Sequence, residues 1–296
     1  MVDFKDVQGM KPDSAISVNR AGVKGVKIPV DIHRGKMSFH LVCLLDLFVN
    51  LPDTRKGADM SRAIESITTS ARDRGELVSL ESFCGIIGVE ALKRFDYSEK
   101  VQIRLRTELP LTRQSHQGRE STVFYPVEVF HRYTRDGHSL TTITSEILIM
   151  NACPCAMETT RELLKQRFGM VQGLPDAYPS VTHNQRNKIR VSLTSSLDPN
   201  IDLIDIIETV EESMGGPLLS LLKRVDEGEH VLDAHLKPMF VEDLVRLIAI
   251  RIGEKFDKLS KDVLIKISSE SEESIHPHNA YAEIETTLDA LRHHVQ

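Results

Sequence analysis

Val101-Gln102-Ile103-Arg104-Leu105-Arg106 alternates apolar and polar side chains with a period of two, the signature of a strand with one buried and one wetted face. Working outward, residues 22–33, where Val26, Ile28 and Val30 alternate, and the apolar run 38–51 read as two more strands able to pair antiparallel. Between these strands and residue 101 lie two helical stretches, 58–73 and 79–95, the second with Phe83, Ile86, Ile87 and Leu92 at helical spacing. Runs 121–133 and 138–150 follow as further strands. The second half repeats this order. Ile189, Val191 and Leu193 alternate ahead of two helices, 200–224 and 238–256, the latter with Val241, Leu244, Val245, Ile248 and Ile252 on one face. Strands 262–269 and 280–287 close the chain. The duplication predicts an α+β protein with an N-terminal unit spanning residues 1–155, a helical connector and Gly/Pro-bearing loop over 156–182, and a C-terminal unit spanning residues 183–296.

At 296 residues and 41% hydrophobic content, the chain is long enough to bury one large core or two ordinary ones. A net charge of -6 gives no global signature of a nucleic-acid or polyanionic-membrane partner, so any phosphate recognition must be local. Four cysteines are too few for a disulfide scaffold, and Met-Val-Asp-Phe-Lys-Asp at the start lacks the order of a secretory signal, so a reduced, cytoplasmic protein is expected. Leu41 to Leu51, the longest apolar stretch, is broken by Asp46 and falls well short of the ~20 residues that span a bilayer.

Potential metal ligands are scattered along the chain: Cys153-Pro154-Cys155, His183, Glu227 and His276-Pro277-His278. Thiolate, imidazole and carboxylate together suit a divalent cation. Cys43 and Cys84 lie inside apolar patterns and read as small buried hydrophobes. Cys153 follows a strand end, and Pro154 biases it toward an extended backbone, which would point it to the same side as Cys155. Pro277 does the same for His276 and His278. Taken singly, His183 reads equally well as an ordinary solvated histidine, and Glu227 and Glu242 as surface carboxylates near helix ends.

In order along the chain, Val-Asn-Arg-Ala-Gly (18–22), Met-Ser-Arg (60–62), Cys-Pro-Cys (153–155), His-Asn-Gln-Arg (183–186), Leu-Leu-Lys-Arg-x-Asp-Glu (221–227), Phe-Val-Glu-Asp (240–243) and Glu-Ser-Ile-His-x-His (273–278) resemble the GTP cyclohydrolases of type IB and their archaeal type IV relatives. The resemblance implies the tunnelling fold (T-fold), with two tandem ββααββ units per chain. It also implies a homodimer or homotetramer whose sheets close into an oligomeric barrel, with active sites at subunit interfaces. Carried over by residue, Cys153, His183, Glu227 and His276 are the metal ligands, Cys153, His276 and His278 the catalytic groups, and Glu242 the anchor for the guanine N1–H and 2-amino group. Arg20, Arg62, Arg186, Lys223 and Arg224 are the basic residues within the matched motifs and the candidates for the triphosphate, since guanidinium forks suit bidentate phosphate contacts. The implied cofactor is ferrous iron, Fe(2+), with zinc, Zn(2+), or manganese, Mn(2+), as alternatives; the implied partner is GTP, with neither nucleic acid nor membrane.

The chemistry agrees with the residue types. A divalent cation makes water nucleophilic near neutral pH, and imidazole can shuttle protons as the guanine ring opens and formate leaves. Two departures refine the resemblance. The segment between Cys155 and His183 is longer than in bacterial type IB enzymes, which favours the archaeal product, 7,8-dihydroneopterin 2',3'-cyclic phosphate, over dihydroneopterin triphosphate. Asp59 stands before Met-Ser-Arg where many members carry His. A non-catalytic purine- or pterin-binding T-fold protein is the alternative of a different class.

Overall fold

The computed structural model describes residues 6–35, 37–72, 77, 79–168, 178–196 and 201–292. Its elements run β1 (Val18–Arg34), β2 (Met37–Leu51), α1 (Met60–Arg72), α2 (Leu80–Arg94), β3 (Lys100–Gln114), β4 (Glu120–Thr134), β5 (Ser139–Ala152), α3 (Pro154–Phe168) and β6 (Asn184–Ser195). They continue with α4 (Leu203–Ser213), α5 (Arg224–Leu236), α6 (Val241–Lys255), β7 (Leu264–Ser271), β8 (Ala280–Thr287) and α7 (Leu288–Arg292). Among the described residues, eight strands form one sheet in sequence order, which makes this an α+β fold built on a meander.

The alternation at 101–106 does what its period predicts. Val101, Ile103 and Leu105 are fully buried, and β3 pairs antiparallel with β2 so that Leu45 faces Leu105 and Leu47 faces Ile103. On the opposite face Arg106 reaches across to buried Asp46 at 2.9 Å. β1 pairs with β2 through Ile28 and Cys43, and β7 with β8 through Ile267 and Ile284. Cys43 and Cys84 are fully buried, as apolar residues would be.

Two compact units divide the described residues. The first draws on spans 1–109, 126–143 and 194–199, and the second on 110–125, 144–193 and 200–296, so each takes segments from both sides of residue 155. In the first, α1 packs on α2 and β1, burying Ala63, Ile67, Phe83 and Ile87. Ser79 caps α2 by accepting from the Ser82 N–H at 3.2 Å. In the second, α6 lays Leu244, Val245, Ile248 and Ile252 against α4, β7 and β8. Each such side chain contributes roughly 1.5–3 kcal/mol by leaving water. The second unit also buries an ionic trio. Arg113 Nε lies 2.9 Å from Glu211, and the Tyr125 hydroxyl donates to the same carboxylate. Burial pushes the Glu211 carboxyl up, against the pull of Tyr125 and Arg113.

Three sequence expectations need correction. The helix placed at 200–224 ends at Ser213, because Gly215 and Gly216 take left-handed φ values of +79° and +106° and Pro217 cannot continue a helix. A separate helix, α5, then spans Arg224–Leu236, making three helices here where the pattern predicts two; it buries only Asp226 and Ala234 and so carries no apolar stripe to betray it. The connector helix starts at Pro154 and is described to Phe168; Gly169 and the loop as far as residue 177 lie outside the described residues. Among the described residues no helix is long and apolar enough to cross a membrane.

Candidate active site

Cys153 sits between the end of β5 and the start of α3. Pro154 occupies the first helical position, where its missing N–H costs nothing, so Cys155 joins the first turn of a helix and is exposed rather than extended beside Cys153. The Cys153 sulfur accepts from the Ala156 N–H at 3.4 Å, and its carbonyl from the Met157 N–H at 3.2 Å, which fixes the side chain at the helix entrance. The Cys153 N–H donates to the His183 carbonyl at 3.1 Å, and the Thr182 hydroxyl donates to the Cys153 carbonyl at 2.7 Å. Two motifs far apart in sequence are thereby locked together at the β5 and β6 ends.

The His183 imidazole is only 12% exposed, with Nδ1 2.9 Å from Gln185 Oε1 and 3.7 Å from Glu273 Oε2. With Gln185 Oε1 as the acceptor, Nδ1 is the donor of this contact and Nε2 is the ring nitrogen left for a ligand. This is the arrangement a metal-ligating histidine needs, held by the kind of outer partner such ligands have. Glu273 also brings the root of the 273–278 loop to His183, and the Glu272 N–H donates to the Arg186 carbonyl at 2.9 Å. Farther along, His276 and His278 are exposed and stacked, centroids 5.1 Å apart and planes 12° from parallel, within a bend over residues 274–278.

Glu227 lies on the first turn of α5, in the wall of a cavity of about 490 Å³ lined also by Gln117, Arg119, Lys223, Arg224 and Val225. Glu242 is exposed on the first turn of α6. Arg186 is exposed on β6, and Arg20 lays its guanidinium 4.2 Å over the Phe48 ring. Arg62 is engaged within its own unit, 2.7 Å from the Arg94 carbonyl, 3.2 Å from Asp96 and 3.5 Å from Asp59. The structure thus joins Cys153, His183 and the root of the histidine loop, and separately Lys223, Arg224 and Glu227. Among the described residues no three His, Cys, Asp or Glu side chains converge as a metal site within one chain. The donors that are in place fit a divalent ion by type.

Gln185, Glu273, Gln117 and Arg119 are not marked by the sequence pattern. Gln185 is within its reach, being two residues from His183 on an extended segment and therefore on its side. Arg119 offers no signal, since the carboxylate that holds it is Asp226, more than a hundred positions away.

The fold is that of the uricase-like T-fold proteins. The uricase from Arthrobacter globiformis aligns with a TM-score of 0.52 over 91% of this chain and 92% of its own, at 9% identity. A highly active mutant of Bacillus sp. TB-90 urate oxidase aligns with a TM-score of 0.51, covering 91% and 100%, at 11% identity. At such identities the likeness is one of fold. Within that fold the chain belongs to the type I GTP cyclohydrolase folE2 family, whose model matches residues 4–282, and it is an enzyme. The type I description replaces the narrower type IB label that the motifs suggest. GTP cyclohydrolase MptA of Thermoplasma acidophilum is 42% identical over 302 residues, 99% of this chain and 98% of its own. The Thermoplasma volcanium protein of the same name is 41% identical, covering 95% of each chain, and MptA 2 of Methanocella arvoryzae is 36% identical, covering 97% of each.

Proposed function

We propose that this GTP cyclohydrolase converts GTP to 7,8-dihydroneopterin 2',3'-cyclic phosphate, formate and diphosphate, the first step of tetrahydromethanopterin and pterin synthesis, in the cytoplasm. The observation that carries the chemistry is the Cys153–His183 junction, where a backbone hydrogen bond joins the two donor-bearing motifs and the His183 Nδ1 is held by Gln185. The choice of product rests on the MptA relatives, matched over nearly their full length, and on the long segment between Cys155 and His183.

Cys153, His183, Glu227 and His276 are the donors that would hold a divalent ion, ferrous iron first and zinc or manganese otherwise. When bound, such an ion supplies the Lewis acidity that hydrolysis at guanine C8 requires. The chain's own groups do the rest. Glu242 accepts two parallel hydrogen bonds from the guanine N1–H and 2-amino group, a donor pair that adenine lacks. His276, beside His278, passes protons through its ring nitrogens to the departing guanine nitrogen. Arg20, Arg186, Lys223 and Arg224 face the triphosphate; Arg62, already holding Asp59 and Asp96, is the weakest of the five candidates.

The absence of a three-donor cluster within one chain, among the described residues, supports active sites assembled between copies of a homodimer or homotetramer. So do Val225, Val231, Leu232 and Leu236, exposed on α5 although apolar. The repeated strand and helix order supports two tandem ββααββ units whose sheets close into a barrel on assembly. The test is anaerobic incubation of metal-stripped protein with GTP and one added metal, followed by mass analysis of the products. A cyclic monophosphate with diphosphate, strongest with ferrous iron, is expected. Dihydroneopterin triphosphate would move the enzyme to the folate-type reaction, and intact GTP with every metal would overturn the catalytic reading in favour of a purine- or pterin-binding protein. Glu242→Gln should raise the KM for GTP while leaving metal content unchanged.

A further inference from the structure

The cavity beside α5 holds a cation that no matched motif contains. Residues 115–119 turn β3 into β4, with the Ser115 N–H donating to the Arg119 carbonyl at 2.9 Å and the Arg119 N–H to the Ser115 hydroxyl at 3.1 Å. Gly118, at φ +73°, supplies the left-handed residue that this turn requires. The turn is docked on α5 by Asp226, whose side chain is fully shielded from solvent. Asp226 accepts from the Gln117 N–H at 2.9 Å, from Arg119 Nη1 at 2.6 Å and from the Lys223 N–H at 3.3 Å. One buried carboxylate therefore fixes both walls of the cavity.

The charges in those walls are unbalanced. Arg119, Lys223 and Arg224 all line the cavity, and among the described residues the side chains of Lys223 and Arg224 meet no carboxylate. Arg119 carries five N–H donors and remains 33% exposed after pairing with Asp226, so most of its fork is left for another acceptor. Glu227 shares the wall and is the carboxylate assigned above to a divalent ion, and Asp226 already pairs with Arg119, so Lys223 and Arg224 are the two cations left without a counter-ion. Oxyanions in a chain are the ligand that such a set recognises: several acceptor oxygens, multiple negative charges and a length matched to cations on two walls.

We propose that Arg119 is a substrate-binding residue for the polyphosphate of the nucleotide, and that Asp226 is the positioning residue that aims Arg119 and the Lys223 backbone at the same phosphates. The assignment rests on the GTP cyclohydrolase reading and extends it to Arg119, which lies outside the family motifs, and to Asp226, a motif residue given no role above. It is tested in the metal-loaded enzyme by two measurements, formate release from GTP and calorimetric binding of inorganic tripolyphosphate. Arg119→Ala should raise the KM for GTP roughly ten- to a hundredfold, the value of one charge-assisted hydrogen bond, with kcat little changed. Tripolyphosphate affinity should fall by a similar factor, and Arg119→Lys should restore part of both. Asp226→Asn should move the same parameters in the same direction; if it does not fold, the Arg119 variants carry the test alone. Wild-type KM and tripolyphosphate affinity in Arg119→Ala, or a loss confined to kcat, would overturn the assignment. If wild-type protein released no formate yet bound tripolyphosphate through Arg119, the GTP reading would fall and the phosphate cradle would stand.

Discussion

Acidifying the protein from about pH 7 to about pH 5 should remove about 2 kcal/mol of folding stability through His131 alone. His131 lies on β4, 1% exposed, with Nδ1 2.9 Å from the Thr141 hydroxyl and Nε2 without a hydrogen-bond partner among the described residues. Its ring stacks on Tyr133, and Gly88 of α2 backs against it so closely that a Cβ there would sit 3.4 Å from Cδ2. Among the described residues no carboxylate compensates an imidazolium in this position, and burial pushes the pKa down from 6.5 to about 4. The unfolded chain takes up its proton near 6.5 while the folded chain resists until about 4, so between those values the unfolded state binds more protons. The contribution is complete above about pH 6.5 and is lost as pH falls toward about 4, roughly 3 kcal/mol in all, of which about 2 kcal/mol is gone by pH 5. Urea unfolding of wild type and His131→Gln at both pH values isolates the effect, because every other titrating group is common to the two proteins. The wild type should lose about 2 kcal/mol more than the variant over this interval. Equal losses would refute the argument and mean that the site opens to water or finds an acceptor for Nε2.

Other consequences follow from the same geometry. Gln185→Leu removes the acceptor that holds His183 in its ligating tautomer and should weaken zinc binding about ten- to a hundredfold in a chelator competition, with secondary structure unchanged; unaltered affinity would detach His183 from the metal. Glu211→Ala leaves the Arg113 guanidinium, now held at 2.9 Å, with only the half-exposed Glu208 carboxylate at 3.7 Å and should destabilise the protein by about 3 kcal/mol in denaturant unfolding; a loss nearer zero would show that Glu208 or water replaces the carboxylate. Cys153→Ala should leave the melting temperature within a few degrees of wild type, since among the described residues the sulfur's one hydrogen bond is from the Ala156 N–H, while abolishing formate release. A collapse in melting temperature would instead make the centre structural.

What the residue pattern reveals, and what it hides, divides along the range of the forces involved. Period-two runs such as 101–106 declare themselves because each strand buries one face in its own sheet, and α6 declares itself through a stripe that α4, β7 and β8 cover. α5 buries only Asp226 and Ala234, so the hydrophobic signal that marks a helix is absent, and the pattern runs α4 on through Gly215 and Gly216 instead. The two proline motifs show the same divide. Both prolines read locally as extending residues, but Pro277 lies in a bend where His276 stacks on His278, and Pro154 at the mouth of a helix has its fixed φ start that helix.

The site obeys the same logic. Residue types name the donors, yet the join of Cys153 to His183 is made by strand ends that local sequence does not place side by side, and the docking of the 115–119 turn onto α5 depends on a carboxylate from a distant segment. α5 contributes almost nothing to a core within its own chain, yet it carries Lys223 at its entrance, Arg224, Glu227 and the carboxylate that organises the cavity. A helix whose described contacts are polar and whose apolar residues face outward is stabilised mainly by what it holds and by what covers it. For that reason substitutions on α5 should alter substrate binding and assembly before they alter the folding of the chain that bears them.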